Sequence, residues 1–174
     1  MQKIQAVVDK ILEWVLVVLM GANVLNVLWQ VFTRFILKNP SSFTEELARY
    51  LLIWVGLLGA AYAVSKKMHL AIDVLTERLT GIQKVLSELF IQICIFLFAL
   101  FVMVIGGSNL VNITLTLQQI SAALQIKIGY VYTVIPMSGF LIMFYSALLF
   151  IENFLRLLGR DKEITSGKRI TPVD

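Results

Sequence analysis

Four apolar stretches, residues 11–32, 47–64, 85–105 and 130–151, fill most of this 174-residue chain. Each is long enough to cross a bilayer, because a hydrocarbon core of about 30 Å takes about 20 residues at about 1.5 Å each. In lipid, backbone N–H and C=O groups must be paired within the segment, so such a stretch is an α-helix. The pattern predicts an all-α membrane protein with four transmembrane helices. It forms one domain over residues 1–158, followed by a polar tail at 159–174. Apolar residues make up 59% of the chain, and they lie all round each stretch. A water-soluble helical domain needs a polar exterior and one-sided helices, so that reading is set aside.

Charge sets the expected orientation. Even-numbered crossings place the N-terminus, the second loop and the C-terminal tail on one side. That side holds eleven Lys and Arg residues: Lys3, Lys10, Lys66, Lys67, Arg78, Lys84, Arg156, Arg160, Lys162, Lys168 and Arg169. The other side holds three: Arg34, Lys38 and Lys127. The positive-inside rule then puts both termini in the cytoplasm, with loops one and three outside. The formal charge of +4 is spent on topology and anionic lipid rather than on nucleic acid, since no basic helix interleaved with aromatics stands outside the spans. The apolar run near the N-terminus is about 22 residues with no small-residue cleavage site after it, which reads as a retained span rather than a signal peptide.

Several chemistries lack their ligands. The single cysteine, Cys94, cannot form an internal disulfide and reads as a small inert hydrophobe within span three. The single histidine, His69, excludes an intrachain bis-histidine haem. No nucleophile–base pair, phosphate loop or metal ligand set is present, so no enzyme and no cofactor is expected.

The loops carry some pattern. In loop two, Met68, Ile72, Leu75 and Leu79 share a helix face, which predicts a short amphipathic helix on the inner membrane surface. Loop three, 106–129, is polar but carries enough apolar residues to be partly helical, and Gly106-Gly107 marks an expected break.

The spans themselves carry polar groups. Asn23, Asn26 and Gln30 fall on one face of span one. Amides in lipid seek partners on another helix. Three readings stay open for them: glue within this chain, a partner interface, or a substrate path. Span two opens after Pro40 with Ser42-x-x-Glu45, the pattern of a capping box. Glu45 and Glu46 suit the positive end of the helix dipole, and Glu45 stands four residues before Arg49. Arg49 begins to enter the hydrocarbon, where a charge pairs, snorkels or meets a partner. Gly56-x-x-x-Ala60 permits close helix approach. In span three, Lys84, Glu88 and Gln92 recur every four residues. Glu88 and Glu13 lie near the inner interface and read as solvated anchors. In span four, Pro136 is expected to kink the helix or open its first turns.

The segment Phe43-Thr44-Glu45-Glu46-Leu47-Ala48-Arg49-Tyr50, then Trp54, Leu58-Gly59-Ala60-Ala61, His69 and Asp73, resembles the DctQ-type small membrane subunit of tripartite ATP-independent periplasmic (TRAP) transporters. A second segment, Gln119-Ile120-Ser121-Ala122-Ala123-Leu124-Gln125-Ile126 with Tyr132 and Pro136, is similar to that family's stretch before its last helix. The resemblance covers about residues 10–155. It departs where prolines are expected, at Ala122 and Lys127, which predicts a different local path there.

The resemblance implies a role rather than a reaction. It implies a multi-pass subunit of a bacterial inner membrane, with no substrate site of its own. The small subunit binds and scaffolds a large multispan subunit that carries organic acids inward on a sodium gradient. It also implies transient docking of a periplasmic substrate-binding protein and contact with membrane lipid. Glu45, Glu46 and Arg49 then fix the outer end of span two, against the large subunit or within the chain. Trp54 and Gly59 line a helix contact. His69 and Asp73 organise the inner loop or lie on its surface. The alternative is a self-contained, homo-oligomeric carrier or channel.

Overall fold

The computed structural model describes residues 2–38, 41–66 and 82–165. His69, Asp73 and the amphipathic helix expected in loop two lie outside the described residues. Among the described residues, four helices are long and apolar enough to cross a membrane: Gln5–Phe35, Ser42–Ser65, Leu86–Thr116 and Ile128–Leu155.

Helix α1 (Gln2–Phe35) and helix α2 (Ser42–Ser65) form spans one and two. The connection includes Lys38 with φ 52, a left-handed residue that turns the chain sharply after the helix. Span two is capped one residue earlier than the sequence pattern suggests. Ser41 is the N-cap, in an extended conformation and without a side-chain cap bond. Thr44 Oγ1 instead donates 2.8 Å to the Ser41 carbonyl. The Ser42–Glu45 capping box is therefore not formed; Glu45 turns to Arg49 instead.

Span three is longer than expected and does not end at Gly106-Gly107. Helix α3 (Ile82–Phe98) runs into a π-helical segment, Ala99–Gly106, and then into helix α4 (Gly107–Thr116). Glycine is tolerated in lipid-embedded helices, because nothing there competes for the backbone hydrogen bonds. At Gly107 the missing side chain is needed for packing. A Cβ there would stand 2.7 Å from Ile135 Cγ2 and 3.2 Å from Pro136 Cδ.

Span four is interrupted near its start. Helix α5 (Ile128–Tyr132) gives way at Thr133 to helix α6 (Val134–Thr165). Pro136 explains the position of the break. It has no N–H for the carbonyl of Tyr132, four residues back, and its ring crowds that carbonyl. Helix α6 passes Gly159 and ends at Thr165, so the first part of the polar tail continues the helix.

The spans pack as an open row in the order one, two, four, three. Helix α1 packs on α2, α2 on α6, and α6 on α3 and the π segment. The core follows from this order. Leu58, Ala61, Ala99, Val134, Tyr145 and Leu149 are its best-buried members, on α2, the π segment and α6. Of the most apolar stretch of span four, 39% is buried, against 11% for span one. Span four is thus the spine and span one a free edge.

Candidate functional site

Polar groups collect at the two ends of the row. At the end formed by the α1–α2 connection and the α4–α5 turn, Glu46 is the central residue. Its Oε1 accepts the Tyr50 hydroxyl at 2.8 Å. Its Oε2 accepts the backbone N–H groups of Ala123 at 2.8 Å and Leu124 at 3.0 Å, 77 and 78 residues away. The Ser121 hydroxyl, itself buried, accepts the Leu124 N–H at 3.3 Å. A carboxylate suits this place because two neighbouring N–H donors converge on it, and charge-assisted bonds are the strong ones.

The turn that Glu46 holds is closed by its own backbone. Ser121 N–H donates to Ile126 O at 2.9 Å, and Ile128 N–H donates to Gln119 O at 3.0 Å. Gln118 and Gln125 take left-handed backbone angles, φ 50 and 55. Lys127 lies at φ −69, a value a proline also adopts.

Two more bonds tie spans together near this end. Asn26 Nδ2 donates to the Thr44 carbonyl at 2.7 Å, joining span one to the first turn of span two. Trp54 Nε1 donates to the Val131 carbonyl at 3.1 Å, joining span two to α5.

The residues grouped by sequence therefore separate. Glu46, Trp54 and Asn26 bond within the chain. Asn23 and Gln30 share the half-buried face of Asn26. The Asn23 Oδ1 is buried with no partner, and the Gln30 carbonyl accepts from Thr33 Oγ1 at 2.9 Å. Glu45 and Arg49 pair at 3.7 Å with about two thirds of each side chain exposed, and an exposed pair of this kind holds little together. Gly59 touches little: a Cβ there would find only Leu16 Cδ2, at 4.0 Å. It borders an open apolar groove of about 750 Å³ between spans one and two, with Leu16, Met20, Gly21, Val24 and Val55.

The opposite end, which gathers the start of α1 and the end of α2, holds a cluster that sequence reasoning missed. Asp9 Oδ2 accepts from Lys66 Nζ at 3.0 Å, and the ammonium lies 5.2 Å from the Tyr62 ring centre. The bond to Asp9 holds the Lys66 ammonium above its ordinary pKa. Asp9 also faces the hydroxyls of Tyr145 and Ser65. The available signal was two opposite charges at the ends of two spans expected to meet on one side. Midway, Ser146 Oγ meets the Gln92 carbonyl at 2.8 Å and Gln92 Oε1 at 3.1 Å, tying span four to span three. Cys94 is exposed on the outside of the row rather than packed within it. Among the described residues, no group of three His, Cys, Asp or Glu is placed to hold a metal.

A helical row with polar ends and apolar flanks has the build of a multi-pass membrane protein. Comparison with known proteins gives the family. The model of the DctQ component of tripartite ATP-independent periplasmic transporters matches residues 23–156, and the chain belongs to that family. It is a TRAP transporter small permease subunit, a transporter component and not an enzyme. It is 33% identical over 79 residues to the sialic acid TRAP transporter small permease protein SiaQ of Vibrio cholerae, covering 45% of this chain and 46% of that one. It is 29% identical over 101 residues to a putative TRAP transporter small permease protein of Haemophilus influenzae, covering 56% and 63%. It is also 34% identical over 95 residues to the sialic acid TRAP transporter permease protein SiaT of Haemophilus influenzae, covering 52% of this chain and 15% of that protein. The matches thus span less than two thirds of each relative's length. In SiaT the matching stretch is a small part of a longer permease protein.

Proposed function

We propose that this chain is the scaffold subunit that a large, multispan transport subunit packs against, in a sodium-driven carrier of organic acids. The supporting observation is the free edge of the row. Span one turns most of its apolar side chains away from the rest of the chain, and an unfilled groove runs between it and span two. Small residues at a helix surface let another helix approach closely, and Gly21 and Gly59 leave that space open. The long relatives join a stretch of this kind to further permease sequence in one polypeptide. The SiaQ and SiaT relatives carry sialic acid in their names, so carboxylate-bearing sugars are the first substrates to test.

Both termini face the cytoplasm in this reading, on the charge distribution given above. The Glu46 end then faces the periplasm, where the 118–126 turn is available to a soluble binding protein. Glu45 and Arg49, exposed beside it, reach toward the large subunit or that protein. His69 and Asp73 organise the cytoplasmic loop. Bilayer lipid covers the remaining apolar surface.

The test is to tag the C-terminus, solubilise native membranes gently and identify by mass spectrometry what co-purifies. A multispan carrier in near-equal amount is the expected result. Recovery of this chain alone, as a stable homo-oligomer that transports in liposomes, overturns the scaffold reading.

A further inference from the structure

Two helix irregularities lie close together where span three packs on span four. Span three passes through the π segment Ala99–Gly106, and span four breaks at Thr133. The two touch through glycines. A Cβ on Gly139 would stand 2.8 Å from Met103 Cβ and 3.0 Å from Val104 Cγ2, and one on Gly107 would meet Ile135 and Pro136.

Beyond these irregularities, residues 107–132 form a single body. Helix α4 packs on α5, with Leu115 seated directly over Gly129. The turn between them is closed by its own backbone bonds. Among the described residues, this body is bonded to span two through two side chains, Glu46 and Trp54. Its continuous backbone joins the rest of the chain at two places, the π segment and Thr133.

A π stretch bonds each residue to the fifth beyond it, is rare, and often marks a functional site inside a longer helix. Restoring α-helical bonding across Ala99–Gly106 turns everything past it by on the order of 100°, the angle of one α-helical residue. Such a turn carries Ala123 and Leu124 away from Glu46, and Val131 away from Trp54. We propose that residues 107–132 are a hinged cap, with the π segment and the Thr133 break as its hinges and Glu46 as the latch that holds it in the position seen here. Glu46 suits a latch because its bonds are to backbone N–H groups at the end of the row, where water replaces it on release. Glu45 and Arg49 take no part. The inference does not depend on which partners the chain has.

Pulsed electron spin resonance on the full chain in nanodiscs tests this. In a Cys94→Ala background, spin labels are placed at the exposed positions Phe43, on span two, and Gln119, on the cap. One distance is expected with Glu46 present. Glu46→Ala is expected to add a second, displaced distance and to speed amide exchange at Ala123 and Leu124 by about tenfold or more, the loss of a charge-assisted bond. Deleting Val102 removes one residue from the π segment and is expected to displace the distance even with Glu46 in place. If Glu46→Ala does not accumulate, Glu46→Gln keeps one acceptor oxygen and should show the same second distance at lower population. A single unchanged distance in the Glu46 variant that folds overturns the latch, and an unchanged distance after the Val102 deletion overturns the hinge.

Discussion

Spans three and four meet through glycine, and so do spans one and two, but to opposite effect. Between three and four the glycines are in use. Gly107, Gly129 and Gly139 each face a neighbour that a Cβ would strike. Between one and two the glycines face open space, with nothing within 4 Å of a Cβ on Gly21 and only a distant leucine at Gly59. The first contact is complete within this chain. The second is left open within this chain. Glycine content alone does not separate the two cases; what separates them is whether this chain supplies the opposing surface.

The largest expected effect comes from forcing a side chain into the completed contact. Gly139→Leu inserts four carbons where one already clashes with Met103 and Val104. Overpacking a well-filled site costs about 1–3 kcal/mol or more. Thermal unfolding in detergent should show a marked loss of stability. An unchanged midpoint would mean that the span three–four contact is looser than its geometry states.

Next comes the open contact. Gly59→Leu has room in the chain and removes a poor helix former, a change worth up to about 1 kcal/mol in favour of the helix. The isolated subunit should therefore be as stable as before, or slightly more so. Its co-purification with the large subunit should fall, because the groove is filled. Full recovery of the complex with the leucine variant would show that spans one and two do not face the partner. Gly139→Leu and Gly59→Leu thus separate the two pairs of spans: one variant fails on its own, the other fails only in company.

A smaller effect is expected at the polar tie between spans three and four. Ser146→Ala removes the donor to Gln92 in a fully buried setting, and a bond of this kind contributes about 1 kcal/mol. Denaturant unfolding of the isolated chain reads it. No loss would show that Gln92 finds a different partner when the serine is gone; a loss well above that contribution would show a buried polar group left unpaired.

What the sequence reveals divides along the same line. The four spans were legible because length and hydropathy are local, one-dimensional signals. The limits of span three were not, because Gly106-Gly107 reads as punctuation until Ile135 and Pro136 are seen pressed against it. Pro136 marked its break correctly, since the effect of proline on the carbonyl four residues back needs no tertiary knowledge. The polar groups were harder. Asn26 stood out as a residue needing a partner and Trp54 as part of a helix contact, yet both give their hydrogen to a backbone carbonyl. Glu46 likewise takes backbone N–H groups of Ala123 and Leu124. Backbone groups are present at every position and leave no mark in a sequence. Asp9 and Lys66 pair side chain to side chain and could have been matched by charge, but a separation of 57 residues hides the pairing.

The smallest effect on the chain itself is expected at Arg49, and that makes it the sharpest probe of the outside. The guanidinium pairs with Glu45 at 3.7 Å and both groups are mostly exposed, so the pair is screened and flexible. Arg49→Ala should leave the unfolding of the isolated subunit unchanged within error. A charge at the edge of the hydrocarbon must still be satisfied, by water, lipid headgroup or a partner's carboxylate. If a partner supplies that group, removing Arg49 lowers complex yield or uptake while stability stays put. If water and lipid supply it, neither quantity moves, and Arg49 drops out of the interface. Arg49 and Gly59 pose one question in polar and apolar terms: a residue whose surroundings within the chain are incomplete reveals its purpose only when the assembly, and not the subunit, is measured.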